Sequence, residues 1–335
     1  MIDYVHMKAS IAIPPKLFLT QYWHTGYTDN GEAYYWHAKR GASLHYYPSS
    51  STFCISGKII TLLYNTQVLN PDDLYGTRTD IFLEDVNAYL NSLFARPVID
   101  IAAFLVSRID YCFNVQTPYV AEYIRFFNRA FKSTNRGTRT NHVEEYGLDG
   151  SVYIKTRADY KNNELRNYVV NFYDKTARLN YQRAGGEHIS QEDLRNAENI
   201  LRLEVQCGFR YINEVCKKNC IGKTFGELLS YPIAVKSISS VYERVFHCKC
   251  DCHYYRYRDA KNTIPWRYRA ALKTLEIASM NNSILGTKHV QGRKVISEHG
   301  IYPYHFIKKT LPISMLPTPI ALIESKLKEL EEAGQ

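Results

Sequence analysis

Three short stretches, residues 106–113, 169–175 and 201–207, alternate apolar and polar side chains with a period of two. In a β-strand that period sends successive side chains to opposite faces. Arg108 and Asp110 therefore share a face, as do Asn171, Tyr173 and Lys175, and as do Arg202, Glu204 and Gln206. Ile109 and Phe113, Val170 and Phe172, and Leu201, Leu203, Val205 and Cys207 fall on the opposite faces. A sheet built from these strands keeps an apolar underside and gathers two carboxylates, a phenol, a lysine and two arginines above it.

The rest of the chain alternates between strand and helix patterns. Residues 32–36, 42–47 and 57–65 are β-rich, punctuated by Asn30-Gly31 and by the turn residues at 48–51. Asn70-Pro71-Asp72-Asp73 opens a helix that Ile81, Val86, Tyr89, Leu90 and Leu93 continue as one apolar stripe. A strand is expected at 104–115, a helix at 118–132 and a polar basic loop at 133–141. Two strands at 151–157 and 166–175 flank a polar turn at 161–163, followed by a helix at 190–198 and a strand at 200–209. Beyond about 235 helical spacing dominates, at 264–280, 290–299 and 319–332. The pattern predicts an α+β fold, with an antiparallel sheet and flanking helices over 1–235 and a smaller helical domain over 236–335. No internal repeat is visible.

Composition narrows the partners. The 335 residues include 42 Lys and Arg against 33 Asp and Glu, a formal charge of +9. That sign favours a polyanion, nucleic acid ahead of an anionic membrane surface, although an ordinary basic protein has the same balance. The 28 Tyr and 14 Phe suit base stacking on single strands, and equally suit strand-rich cores. No apolar run reaches the length of a membrane span, and the start, Met1-Ile2-Asp3-Tyr4, has no signal-peptide pattern. The eight cysteines are then expected as reduced thiols in the cytoplasm. His247, Cys248, Cys250, Cys252 and His253 form a cluster too tightly spaced for the usual zinc pairs. Cys216 and Cys220 offer a second pair, and free thiols are the preferred reading. Walker, Gly-x-Gly-x-x-Gly and His-x-x-x-His patterns are absent, which argues against ATPases, dehydrogenases and zinc peptidases.

Among the polar strand faces, Tyr173 is the candidate nucleophile. A phenol attacks a phosphodiester well only when deprotonated and aligned, and Lys175 stands where it would lower the phenol's pKa or neutralise the phosphate. Asp110 and Glu204 offer hard oxygens suited to Mg²⁺ or Mn²⁺. The plainer alternatives are a structural strand tyrosine and two carboxylates paired with the arginines two residues before them. Arg108 and Arg202 on the polar faces are candidate DNA contacts. So are Arg125, Arg129, Lys132, Arg136 and Arg139 in and after the 118–132 helix, against a merely solvated loop.

Taken together, residues 57–65, 107–112, 172–175, 201–205 and 299–303 resemble blocks of the gene II/X family, the rolling-circle replication initiators of phages and plasmids. The Tyr173-Asp174-Lys175 block also looks like the catalytic strand of the related plasmid initiators and relaxases. The resemblance implies a nuclease core and a metal-dependent nickase that cuts one strand of origin DNA, single-stranded or hairpin. The enzyme would stay attached to the 5′ phosphate through Tyr173, with Asp110 and Glu204 near the ion. A host polymerase would extend the freed 3′ hydroxyl, with a host helicase beside it. One departure stands out: many rolling-circle nucleases carry a His-hydrophobe-His strand, and this chain has no His-x-His. Its metal would rest on carboxylates, helped by a lone histidine such as His45. A non-catalytic DNA-binding protein and a conjugative relaxase are the competing readings. A second tyrosine, Tyr168 or Tyr181, and a homodimer through the 319–332 helix also stay open.

Overall fold

The computed structural model describes residues 1–69, 78–94, 99–121, 123–124, 142–148, 150–162 and 165–245, with a few isolated positions besides. Ten strands run through it: β1 (Ile2–Ser10), β2 (His24–Tyr27), β3 (Ala33–Lys39), β4 (Ala42–Tyr47), β5 (Thr52–Gly57), β6 (Leu105–Gln116), β7 (His142–Tyr146), β8 (Val152–Thr156), β9 (Tyr168–Asp174) and β10 (Ile200–Gly208). The helices are α1 (Ile59–Tyr64), α2 (Thr79–Ser92), α3 (Arg157–Asn162), α4 (Lys175–Ala184), α5 (Gln191–Asn196), α6 (Phe209–Asn219), α7 (Phe225–Leu228) and α8 (Tyr231–Val245). All ten strands join one sheet in the order β2-β3-β4-β5-β1-β6-β10-β9-β8-β7. Every pairing is antiparallel. The chain thus has the expected α+β fold, an antiparallel sheet with flanking helices.

That strand order contains a repeat that the sequence does not display. Outward from the centre, the first half reads β1-β5-β4-β3-β2 and the second reads β6-β10-β9-β8-β7. In each half the first strand pairs with the fifth, and the others follow as a meander. Because β1 and β6 are antiparallel neighbours, the two halves are related by an approximate two-fold axis through the sheet.

One sheet face is apolar and covered. Val5 and Met7, Leu44 and Tyr46, Phe53 and Ile55, Ile109 and Phe113, Leu203 and Val205, and Val170 and Phe172 are all buried on it. Phe82, Val86 and Leu90 of α2 belong to the same core, as do Ile212 of α6 and Ile238 and Val241 of α8. Each such side chain contributes about 1.5–3 kcal/mol by leaving water, so the covered face holds the sheet together and leaves the other face free for polar groups.

Four details depart from the sequence pattern. Residues 57–65 are not a strand: β5 ends at Gly57 and α1 follows, closed by Asn65 in the left-handed region, whose N–H reaches Thr61 O at 2.9 Å. A short apolar run fits either element, and the capping residues decide. Gly57 itself has φ +138, and a Cβ there would stand 2.4 Å from the Ala42 Cα. Of the polar turn expected at 161–163, Lys161 and Asn162 are instead the end of α3. The strand expected to run through 175 stops at Asp174, whose carboxylate caps α4 by accepting from Ala177 N–H at 3.1 Å. Finally, α8 runs through the expected domain boundary at 235 and packs on β6 and β10, with Tyr242 Oη donating to Asn171 O at 3.2 Å. The sheet unit therefore reaches at least Val245. The helices expected at 264–280, 290–299 and 319–332 lie outside the described residues, apart from isolated positions.

Candidate active site

Register brings the three polar faces together. Gln206 stands opposite Asp110, Glu204 opposite Cys112 and Arg202 opposite Asn114 across β10 and β6. On the other side of β10, Glu204 meets Asn171 and Arg202 meets Tyr173. Asp110 also faces Tyr4 of β1, beside an irregularity in β1 at which Asp3 sits. A cavity of about 170 Å³ opens over this region. Its walls include Asp110, Tyr173, Lys175 and Glu204 as expected, with Arg108 at the rim. They also include Asp3, Tyr4, Lys58, Asn171 and Gln206, and Arg178 and Gln182 from α4.

Tyr173 donates from Oη to Glu204 Oε2 at 3.4 Å, and Glu204 Oε1 accepts from Gln206 Nε2 at 3.1 Å. Burial, reinforced by the Glu204 charge, pushes the Tyr173 phenol well above its usual range. Burial and the Asp3 charge also raise Glu204. Asp110 is pushed up to about 7, mainly by burial, with Glu204 and Asp3 adding to it and Arg108 opposing. Lys175 enters the cavity from the first turn of α4, its Nζ 6.0 Å from the centre of the Tyr173 ring. It is 2 % exposed, makes no ion pair among the described residues, and burial with the neighbouring Arg202 pushes it down to about 7. Acid and base are thus both driven toward neutral forms. The Tyr173 phenol holds its proton more tightly than a free tyrosine, and its hydroxyl faces Glu204 Oε2.

The arginines divide. Arg108 grips Asp110 with Nε–Oδ1 at 2.9 Å and Nη2–Oδ2 at 2.7 Å, and its guanidinium lies 4.4 Å from the Tyr4 ring centre. Arg202 is only 1 % exposed and does not line the cavity. It pairs with Asp3 at 2.5 Å, donates to Asn114 Oδ1 at 3.1 Å and approaches Glu204 no closer than 4.0 Å. Its expected DNA contact is therefore corrected: Arg202 is a buried strut under the site. Burial alone raises Asp3, but Arg202, Lys58 and Lys175 outweigh it and hold that carboxyl far below the usual range. Arg125, Arg129, Lys132, Arg136 and Arg139 lie outside the described residues.

Other expectations also find their places. His45 is not at the cavity; it lies on β4 with its ring against Tyr34 and Tyr47. Tyr168 is buried against Tyr211, and Tyr181 is exposed on α4 outside the cavity wall. Cys216 is buried and Cys220 exposed, while the cluster at 247–253 lies outside the described residues. Sequence reasoning missed Asp3, Tyr4 and Lys58 as parts of the site. The signal for Tyr4 was present: Val5 and Met7 alternate with Tyr4, His6 and Lys8, a strand pattern like the three noted above.

The donor set suits a hard divalent ion. Asp110 and Glu204 supply carboxylate oxygens at one cavity, and Asn171 Oδ1, from a residue that lines the same cavity, is buried without a hydrogen-bond partner among the described residues. A buried acceptor without a donor is costly, and a cation would satisfy it. Among the described residues no three His, Cys, Asp or Glu groups converge tightly enough to hold an ion alone. Mg²⁺ and Mn²⁺ sites of that kind are completed by water and substrate phosphate. Among the described residues no helix is long and apolar enough to cross a membrane. No family model matches this chain, and no curated protein matches it significantly.

Proposed function

We propose that the chain is a metal-dependent DNA nickase and strand transferase that initiates rolling-circle replication, as the gene II/X resemblance implies. The observation that carries this reading is the contact of the Tyr173 phenol with Glu204 inside a cavity that also holds Asp110 and Lys175. Tyr173 Oη attacks the scissile phosphorus, the bond to the 3′ oxygen breaks, and the 5′ phosphate remains on the phenol. Glu204 is placed to take the phenolic proton. Lys175, held near neutrality, is placed to return a proton to the departing 3′ oxygen or to neutralise the phosphate. Asp110, Glu204 and Asn171 would hold the ion. When bound, Mg²⁺ or Mn²⁺ supplies charge neutralisation at the phosphate. The setting is the cytoplasm, the substrate is origin DNA as a single strand or hairpin, and the partners are a polymerase and a helicase of the host.

The bidentate Arg108–Asp110 pair favours a second reading, a DNA-binding protein without cleavage, because a carboxylate so held has less to offer an ion. One experiment separates the two. Labelled single strands of random sequence are incubated with protein and Mn²⁺, and covalent adducts are resolved under denaturing conditions. The wild type forms an adduct with a free 3′ hydroxyl, and Tyr173→Phe forms none while still binding. Normal cleavage by Tyr173→Phe overturns the assignment; binding without cleavage under every divalent ion supports the second reading.

A further inference from the structure

On the first half of the sheet, the face that carries the candidate site continues as an aromatic and basic surface. His24, Trp36, His45, Cys54 and Lys8 stand side by side on β2, β3, β4, β5 and β1. Four inter-strand steps of about 4.8 Å make that row roughly 19 Å long. Beside it, the Tyr34, His45 and Tyr47 rings lie nearly parallel, with centres 5.6–6.3 Å apart. His24 and Trp36 approach to 4.7 Å. Trp36, Tyr34, His45 and Tyr47 are half-exposed, and Lys8, His6 and His24 are exposed. Strands β2 to β5 contain no Asp or Glu.

The surface runs into the cavity without a break. The next row, Ser43, Ser56, His6 and Arg108, ends at the rim arginine. Tyr4, part of the cavity wall, carries the Arg108 guanidinium on its ring and hydrogen-bonds Ser56 through its hydroxyl at 2.7 Å. Half-exposed, mutually stacked rings with flanking cations and no carboxylates on these strands match a chain of bases strung on phosphates. Duplex DNA hides its base faces and gains nothing from such rings.

We propose that this face is the track for single-stranded DNA, on which bases next to the cut site stack on Trp36, Tyr34 and Tyr47 while Lys8 and Arg108 meet phosphates. The proposal rests on the nickase reading for its substrate, and it assigns the first half of the sheet to holding the strand and the second half to cutting it.

The test uses the full chain and a fluorescent oligo(dT) of about 20 nucleotides without divalent metal, so that binding is measured apart from cleavage. Trp36→Ala with Tyr47→Ala weakens binding about tenfold or more, Tyr47→Phe leaves it near wild type, and Lys8→Gln reduces the salt slope by about 0.7–1. Oligo(dT) also quenches tryptophan fluorescence in the wild type, and Trp36→Phe removes that quench. Near-wild-type binding by the alanine pair, with its urea midpoint intact, overturns the track; so does equal or tighter binding of a duplex. If the alanine pair does not fold, absence of a Trp36 quench in the wild type overturns it. Failure of the nickase reading looks different: oligo(dT) binding and the quench persist while no adduct forms with Mn²⁺.

Discussion

Lys175→Met should make the protein more stable while removing the proposed nicking activity. Lys175 is 2 % exposed and its ammonium has no carboxylate partner among the described residues, so the fold holds it near a pKa of about 7 against an ordinary 10.5. At about 1.4 kcal/mol per tenfold change in proton affinity, that gap sets a ceiling near 5 kcal/mol on the penalty for keeping the charged lysine in place. Some of the gain is lost because Lys175 also helps hold Asp3 ionised. A net stabilisation of about 2–3 kcal/mol follows, a rise of roughly 0.5–1 M in urea midpoint. The pH dependence follows from proton counting. Between about 7 and 10.5 the unfolded chain binds the lysine proton more than the folded chain does, so this group adds stability to the wild type as pH rises. The variant's lead is therefore greatest at and below pH 7 and shrinks toward pH 10.5. Urea titrations of both proteins at pH 6, 7.5 and 9 (roughly spanning that window) measure it. A lower midpoint for the variant at pH 6, or a lead that does not change with pH, refutes the reasoning.

The remaining predictions concern the frame of the site. Arg202→Met strands Asp3 in a mostly buried position and should destabilise by about 3–5 kcal/mol, with Asp3→Asn on the same chain restoring part of it; urea midpoints of the singles and the double give the coupling. Equal midpoints for Arg202→Met and wild type would show that the buried pair contributes nothing. Gly57→Ala meets both a left-handed backbone and the Ala42 Cα, and should cost about 2–3 kcal/mol in thermal or urea unfolding. A neutral effect would mean that β4 and β5 separate easily at that end.

The sequence was most readable where one face of a strand is apolar and the other polar. Alternation located β6, β9 and β10 and grouped Asp110, Tyr173 and Glu204 correctly, because one buried face fixes which way each side chain points. Lys175 reached the cavity by a different route from the one alternation implies, since Asp174 ends the strand and caps a helix. Arg202 and Arg108 have the same spacing from their acidic neighbours, yet one is buried and the other sits at a rim. Only the pairing of β10 between β6 and β9 settles that, and pairing is a long-range property. Asp3 was invisible as a site residue for the same reason: nothing near it in the chain indicates that β1 lies at the centre of the sheet. The repeated strand order is not legible in the sequence because the halves share a topology while their side chains differ, acids and amine on one and rings on the other.

The Asp3–Arg202 pair links positions 199 apart in the chain. Contacts of such high sequence separation form late, after loop closure over most of the described structure. A ribosome-bound chain has no finished pocket until β10 has emerged and closed against β6 and β9, and domains fold as they leave the ribosome. Truncated products would carry the aromatic wing without the acidic half. Under the proposed function, unfinished copies would grip a strand and be unable to sever it until β10, which ends at Gly208, had been made.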